Sequence, residues 1–222
     1  MSGIDRRTLL GTACMAVTAN RALAQGTIGI DRFGSGGPTV YLLHGSDGLT
    51  NGGRYQFAAQ TLANAGYTVL LPRYFEATED SRARYGDIRS KFPTWLRRLE
   101  AVLAVPAGGW ETGRVAVVGF SLGGALALSL ASRSSRIQAV VDFFGFEPEG
   151  LGEGRKLPPT LILHGSADRV VPVGNATSIE RLIKSQGGMV ESYIYPGEGH
   201  GLSLASLPDA IARTRRFLQR HL

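Results

Sequence analysis

The sequence predicts a single α/β domain built on a mostly parallel sheet with helices on both faces. Three observations carry this. From Thr27 onward, short apolar runs alternate with longer amphipathic stretches, the pattern of strand–helix repeats. The apolar runs are continuous rather than alternating, as in strands buried on both faces. The chain has 222 residues, 43% of them hydrophobic and 19% charged, which suits one well-buried core, and no polar linker divides it.

The elements follow in order. Thr39 to Leu43 reads as a buried strand ending in the turn His44-Gly45-Ser46-Asp47-Gly48. Tyr55 to Ala65 has helical spacing and is closed by Gly66. Thr68 to Leu71 is the next strand, stopped by Pro72. Asp87 to Val105 is predicted helical, with Phe92, Trp95, Leu96, Leu99, Val102 and Leu103 as its apolar stripe. Pro93 belongs in its first turns or marks its start. Val115 to Val118 is a strand and Leu122 to Ala131 a helix of small residues. Ile137 to Phe143 and Thr160 to Leu163 are two more strands, with a polar loop at Glu147 to Leu157 between them. Ser178 to Gln186 is helical and ends at Gly187-Gly188. Val190 to Tyr195 alternates, as a strand nearer the sheet edge does, and Leu207 to Leu222 is a closing helix.

The N-terminus has a different character. Arg6-Arg7 precede a mild apolar run from Thr8 to Thr18, and Ala22-Leu23-Ala24 has the small-x-small form of a cleavage site. Residues 1–24 are read as a twin-arginine export signal and 25–222 as the domain, so the expected location is periplasmic or secreted. Without an active leader the chain would be cytoplasmic. No later apolar run approaches the roughly 20 residues of a membrane span. Cys14 is the only cysteine, so cleavage would leave neither a disulfide nor a thiol nucleophile.

The formal charge is +6. Much of the excess lies in Arg82 to Arg98 and Arg213 to Arg220, which have helical spacing and read as solvated faces. No nucleic-acid motif accompanies them, and no nucleic-acid partner is expected. The glycines lack the dinucleotide and P-loop spacings. His44, His164 and Asp168 lack a recognisable metal-ligand spacing, so neither cofactor nor metal is expected.

Parallel sheets set their working groups beyond the C-terminal strand ends. Three polar residues stand at such ends: Ser121 after VAVVGF, Asp168 after TLILHGSA, and His200 after VESYIY and the loop PGEG. Ser121 sits in G-x-S-x-G. Gly119 and Gly123 flank it as a sharp strand-to-helix turn would require. In that arrangement His200 Nε2 takes the serine proton and Asp168 holds Nδ1–H. The backbone N–H groups of Leu122 and Ser46 are the candidate oxyanion donors. The competing readings are structural. Ser121 can cap a helix, and Asp168 can be a turn aspartate. Asp142 in VVDFFG is the rival acid, read by default as a buried structural carboxylate. His44, His164 and His221 rival His200, but none has its late place in the Ser, Asp, His order. His44 remains a candidate for the pocket wall, as do Tyr74, Phe75, Phe144 and Phe146, which follow strand ends; they are equally ordinary core aromatics.

With these motifs the chain resembles the dienelactone hydrolase family of α/β-hydrolases, through GFSLGG at Gly119 to Gly124, LILHGSADRVVP at Leu161 to Pro172 and YPGEGHGL at Tyr195 to Leu202. The resemblance spans about residues 27 to 221. It implies the α/β-hydrolase fold, a sheet of seven or eight strands, no large lid, no cofactor, and cleavage of esters or lactones through an acyl-enzyme. The best-known members have cysteine where Ser121 stands and a glutamate near the position of Gly45. They also bind a substrate carboxylate through arginines, one of them at the position of Leu204. An arginine from Arg82 to Arg89 is a candidate replacement.

The resulting expectation is a serine esterase acting on a small ester or lactone, with the oligomeric state open. A small serine peptidase would use the same groups but needs a negative pocket residue for an N-terminal amine. A binding protein on the same fold would need none of the three.

Overall fold

A computed structural model describes residues 28–50, 53–104 and 115–222. The leader assigned to residues 1–24 lies outside the described residues. Among the described residues, seven strands form one sheet in the order β1-β3-β2-β4-β5-β6-β7. They are β1 (Ile30–Phe33), β2 (Thr39–Leu43), β3 (Thr68–Pro72), β4 (Val115–Phe120), β5 (Ile137–Phe143), β6 (Thr160–Gly165) and β7 (Val190–Tyr195). Only β1 runs antiparallel, pairing Ile30 with Pro72 and Phe33 with Val69; the other pairings are parallel.

The helices are α1 (Arg54–Ala63), α2 (Ile88–Ala104), α3 (Leu122–Ala131), α4 (Gly174–Ser185) and α5 (Leu207–His221). They sort by the period-two alternation of the strands. Tyr41, Leu43, Val117 and Val140 face one way and pack with Trp95 and Leu99 of α2, Leu126 of α3 and Ile179 of α4. Val40, Leu42, Val118 and Val141 face the other way and pack with Ala59 and Leu62 of α1 and Phe217 and Leu218 of α5. Two buried layers thus cover both sides of the inner strands, which is why those strands carry no alternation in sequence.

Several elements match the sequence reading residue for residue: the helix at Leu122–Ala131 and the strands at Ile137–Phe143 and Val190–Tyr195. β7 is an edge strand. Others extend further than their apolar runs. β4 continues through Gly119 and Phe120, which pair with Asp142 and Phe143, and β6 through His164 and Gly165, which pair with Ile194 and Tyr195. β1 carried no sequence signal because a short edge strand, IDRF, places Asp31 and Arg32 among its four residues. α4 begins at Gly174, and its first turn has Ala176 as its buried residue, too little to register as a stripe. Pro93 lies inside α2, within its second turn.

Chain order reverses around β2: β3 is added on one side and β4 on the other. A crevice opens at such a switch, outside the C-terminal strand ends. The two strand ends flanking it are His44-Gly45-Ser46 and Ser121, held level by the pairing of Leu43 with Gly119.

Candidate active site

Ser121 joins β4 to α3 with φ 54° and ψ −116°. That is a strained conformation for a residue with a side chain, and one that persists only where the surroundings over-determine it. Here they do. Its N–H donates to the Phe143 carbonyl at 2.8 Å. A Cβ on Gly119 would lie 2.1 Å from the Gly123 carbonyl oxygen, and a Cβ on Gly123 would lie 2.3 Å from that of Leu43. Neither distance is compatible with a side chain, so the spacing G-x-S-x-G is a steric requirement of this turn. The close approach at Gly123 also sets the start of α3 against the end of β2.

His200 Nε2 lies 2.9 Å from Ser121 Oγ and its Nδ1 lies 2.8 Å from Asp168 Oδ2. The carboxylate can only accept, so Nδ1 carries the hydrogen and Nε2 is left to accept from the serine hydroxyl. Asp168 is fixed by its second oxygen. Oδ1 accepts from the backbone N–H of Val170 at 2.8 Å and of Val171 at 2.9 Å. The loop bearing His200 is tied down in turn. Glu198 accepts from the Ser203 N–H at 2.9 Å and from the hydroxyls of Ser203 and Ser206, which hold its carboxyl below the usual range. Ala167 N–H donates to the Glu198 carbonyl at 2.9 Å, joining the loops of Asp168 and His200. Gly165 permits that contact, since a Cβ there would lie 2.3 Å from the same carbonyl. Phe144, itself at φ 44°, sets its ring edge-on to His200 with centroids 5.0 Å apart.

The loop after β2 is held by a residue that sequence reading passed over. Tyr55 of α1 accepts from the Gly45 N–H at 2.9 Å and donates to Asp47 Oδ1 at 2.5 Å. Arg54 stands 3.5 Å from Asp47 Oδ2. Burial and the neighbouring Asp47 carboxylate push the Tyr55 phenol far up, so it stays protonated. Ser46 lines the same cavity as Ser121. Leu122 is the first residue of α3, where backbone N–H groups have no intrahelical acceptor.

That cavity has a volume of about 730 Å³. Of the five pocket candidates, Phe144 lines it; His44, Tyr74, Phe75 and Phe146 do not. Packing beneath the loop explains three of them. The His44 ring stacks on Tyr74 at 4.0 Å with Phe75 edge-on at 4.6 Å, and the Tyr74 hydroxyl donates to the His44 carbonyl at 2.7 Å. His44 Nδ1 bonds the Gly45 carbonyl at 2.8 Å. Phe146 turns away towards Phe92 of α2. The arginine in the lining is Arg54, and none comes from Arg82 to Arg89. Leu204 is 87% exposed and outside the lining.

Two of the rival groups, Asp142 and His164, lie in the core. Asp142 is fully buried in β5. Its Oδ1 accepts from the Gly145 N–H at 3.0 Å, and its Oδ2 has no partner among the described residues. His221 packs on Phe217 near the end of α5. His164 is fully buried. Its Nε2 bonds the Val171 carbonyl at 2.8 Å and stands 3.3 Å from Asp168 Oδ2, so it flanks the carboxylate without reaching Ser121.

These buried groups give stability a defined pH dependence. Burial pushes the Asp142 carboxyl up to about 7. The folded state then holds a proton that the unfolded chain releases near pH 4, so this contribution is whole below about pH 4 and is lost as pH rises towards 7. Burial pushes His44 the other way, from 6.5 to about 4, and lowers His164 as well. Their contribution is whole above 6.5 and is lost as pH falls. The two slopes oppose each other between about pH 4 and 6.5. Asp142→Asn removes one of them. Its stability relative to the parent is expected to rise by about 1.4 kcal/mol per pH unit across that window. Denaturant titrations at pH 5 and 6 measure this, and parallel curves for the two proteins would rule it out.

Comparison with known proteins follows the same lines. A model of the dienelactone hydrolase family matches residues 35–216. A carboxymethylenebutenolidase homolog of Xenopus tropicalis is 24% identical over 174 residues, covering 74% of this chain and 70% of the relative. Among solved structures, a dienelactone hydrolase-like promiscuous phosphotriesterase, P91, from metagenomic libraries superposes with a TM-score of 0.72 at 16% identity, over 88% of this chain and 99% of that one. Esterase PE8 does so with a TM-score of 0.68 at 23% identity, over 88% and 100%. At these identities the structural likeness establishes the α/β-hydrolase fold.

Proposed function

The chain belongs to the dienelactone hydrolase family, and on that premise we propose that it hydrolyses small carboxylic esters or lactones through an acyl-enzyme on Ser121. The hydrogen-bond chain from Ser121 through His200 to Asp168, opening on a cavity, is the observation that carries this reading.

Ser121 Oγ attacks the ester carbonyl as its proton passes to His200 Nε2. Asp168 holds the imidazole in the required tautomer and stabilises the imidazolium. The backbone N–H groups of Leu122 and Ser46 take the oxyanion, and each such donor is worth roughly 3 kcal/mol in the transition state. Tyr55 positions the second of these donors, because its hydroxyl bonds both ends of the turn that contains Ser46. His200 then protonates the leaving alkoxide, which departs, and the same nitrogen takes a proton from the water that attacks the acyl-enzyme. Serine suits this site in place of cysteine. No glutamate stands in the loop after β2, and the nucleophile is activated by its imidazole partner alone.

The peptidase reading is less well supported. Asp47 is the one carboxylate among the described cavity-lining residues, and Tyr55 and Arg54 already engage it, which leaves nothing to receive an N-terminal amine. A panel of 4-nitrophenyl acetate, a γ-lactone and an alanyl anilide tests the assignment. Ester or lactone turnover is expected, with the anilide untouched. Anilide turnover above ester turnover would reverse it. No described helix is long and apolar enough to cross a membrane. Export by the leader belongs to the proposal, on the strength of Arg6-Arg7 and the Ala22-Leu23-Ala24 site. A mature N-terminus at residue 1 or 2, from a host with the twin-arginine route, would refute it.

A further inference from the structure

We infer that the cavity at Ser121 continues into an apolar slot that takes a linear alkyl chain attached to the scissile ester. This rests on the reading of Ser121 as the reaction centre. Acetate-sized groups would leave most of the space empty, since the cavity measures about 730 Å³.

The slot runs down the face of the sheet that α1 and α5 cover. Its floor includes Leu42 of β2 and Val118 of β4, which are 0% and 1% exposed. Each stands three residues before its strand-end group, Gly45 or Ser121. At about 3.3 Å per residue these two side chains lie roughly 10 Å below the nucleophile, and their burial marks the level at which the slot closes. The walls give the same length. Leu207, Ile211 and Thr214 of α5 line it, a single stripe seven residues long, or about 10 Å at 1.5 Å per residue. Ala58, Thr61 and Leu62 of α1 line the opposite side.

The charged groups sit at the mouth. Asp47 and Arg54 pair with each other there, beside the exposed rings of Phe57 and Tyr85. Along these helical walls the polar groups are two hydroxyls. That of Thr61 is already bonded to the Phe57 carbonyl at 2.8 Å. That of Thr214 is buried without a partner among the described residues. A slot of this lining offers no counter-charge to a carboxylate or an ammonium, and desolvation would exclude either. It suits methylene groups.

The chain can belong to the acid or to the alcohol, and two substrate series separate these. One varies the acyl group from 4-nitrophenyl acetate to butyrate, hexanoate and octanoate; the other varies the alkyl group of acetate esters from ethyl to hexyl. In one series kcat/KM is expected to rise about four-fold for each methylene that enters the slot, while the other stays flat. Thr61→Trp fills the slot and is expected to lower the hexanoate-to-acetate ratio, or its alkyl counterpart, at least ten-fold. Thr214→Val keeps the shape, removes the unbonded hydroxyl and is expected to raise the same ratio, which keeps the test valid if the larger variant does not fold. Flat profiles in both series would overturn the inference, as would ratios untouched by both variants. Calorimetry on Ser121→Ala measures the slot without turnover. Tighter binding of the longer chain supports it, and equal binding of long and short chains contradicts it. If the intact protein turned over no ester yet the longer chain still bound more tightly, the reaction-centre reading would fall and the slot would stand.

Discussion

Replacing Ser121 with alanine is expected to lower kcat for a simple ester by roughly 10⁵- to 10⁶-fold, with KM within a few-fold of the parent. Oγ is the atom that His200 Nε2 engages, and alanine leaves nothing to form the acyl-enzyme. The folded state should survive. The strained φ of 54° costs alanine much what it costs serine, and the lost hydrogen bond to His200 is worth about 1 kcal/mol. Steady-state kinetics with a thermal melt separate the two effects. A fall in kcat of less than ten-fold with an unchanged melt would mean that water, not Ser121, attacks the substrate.

Asp168→Asn should cost about 10⁴-fold in kcat without moving the side chain. The reason lies in the backbone. Val170 and Val171 both donate to Oδ1, so an asparagine must keep its oxygen there and turn its amide nitrogen towards His200. That nitrogen donates where Oδ2 accepts. Nδ1 of His200 must then give up its hydrogen, Nε2 gains one, and the imidazole can no longer take the serine proton. His164, 3.3 Å from the same oxygen, meets the same donor. The expected signature is a large loss in kcat with KM and fold preserved. A loss below ten-fold would show that Asp168 is a turn aspartate and that another group orients His200.

Much of this site was legible in the sequence because its constraints are local. The glycines around Ser121 are demanded by carbonyls within 2.1 to 2.3 Å of where a Cβ would be. The order Ser121, Asp168, His200 follows from successive strand ends of one parallel sheet. The strands themselves were readable because burial on both faces makes their apolar runs continuous. What escaped was set by packing between distant segments. Strand ends mark where a loop begins but not which way its next side chain turns. Hence Phe144 enters the cavity while Tyr74 and Phe75 pack with His44 beneath the loop. The clamp by Tyr55 had no motif, since a tyrosine one residue into a helix looks like any core aromatic until Gly45 and Asp47 come to meet it. Ile211 and Thr214 likewise carry no motif within the closing helix, and only the tertiary fold sets them beside the cavity. β1 was hidden by its own charges.

The most direct test of the central claim is labelling with a fluorophosphonate, read by intact-protein mass and peptide mapping, on the parent protein and on Ser121→Ala. A serine activated by His200 is expected to give a single adduct on Ser121 that the variant cannot form. An absence of adduct under conditions where a control serine hydrolase reacts, or an adduct that persists in Ser121→Ala, would contradict it.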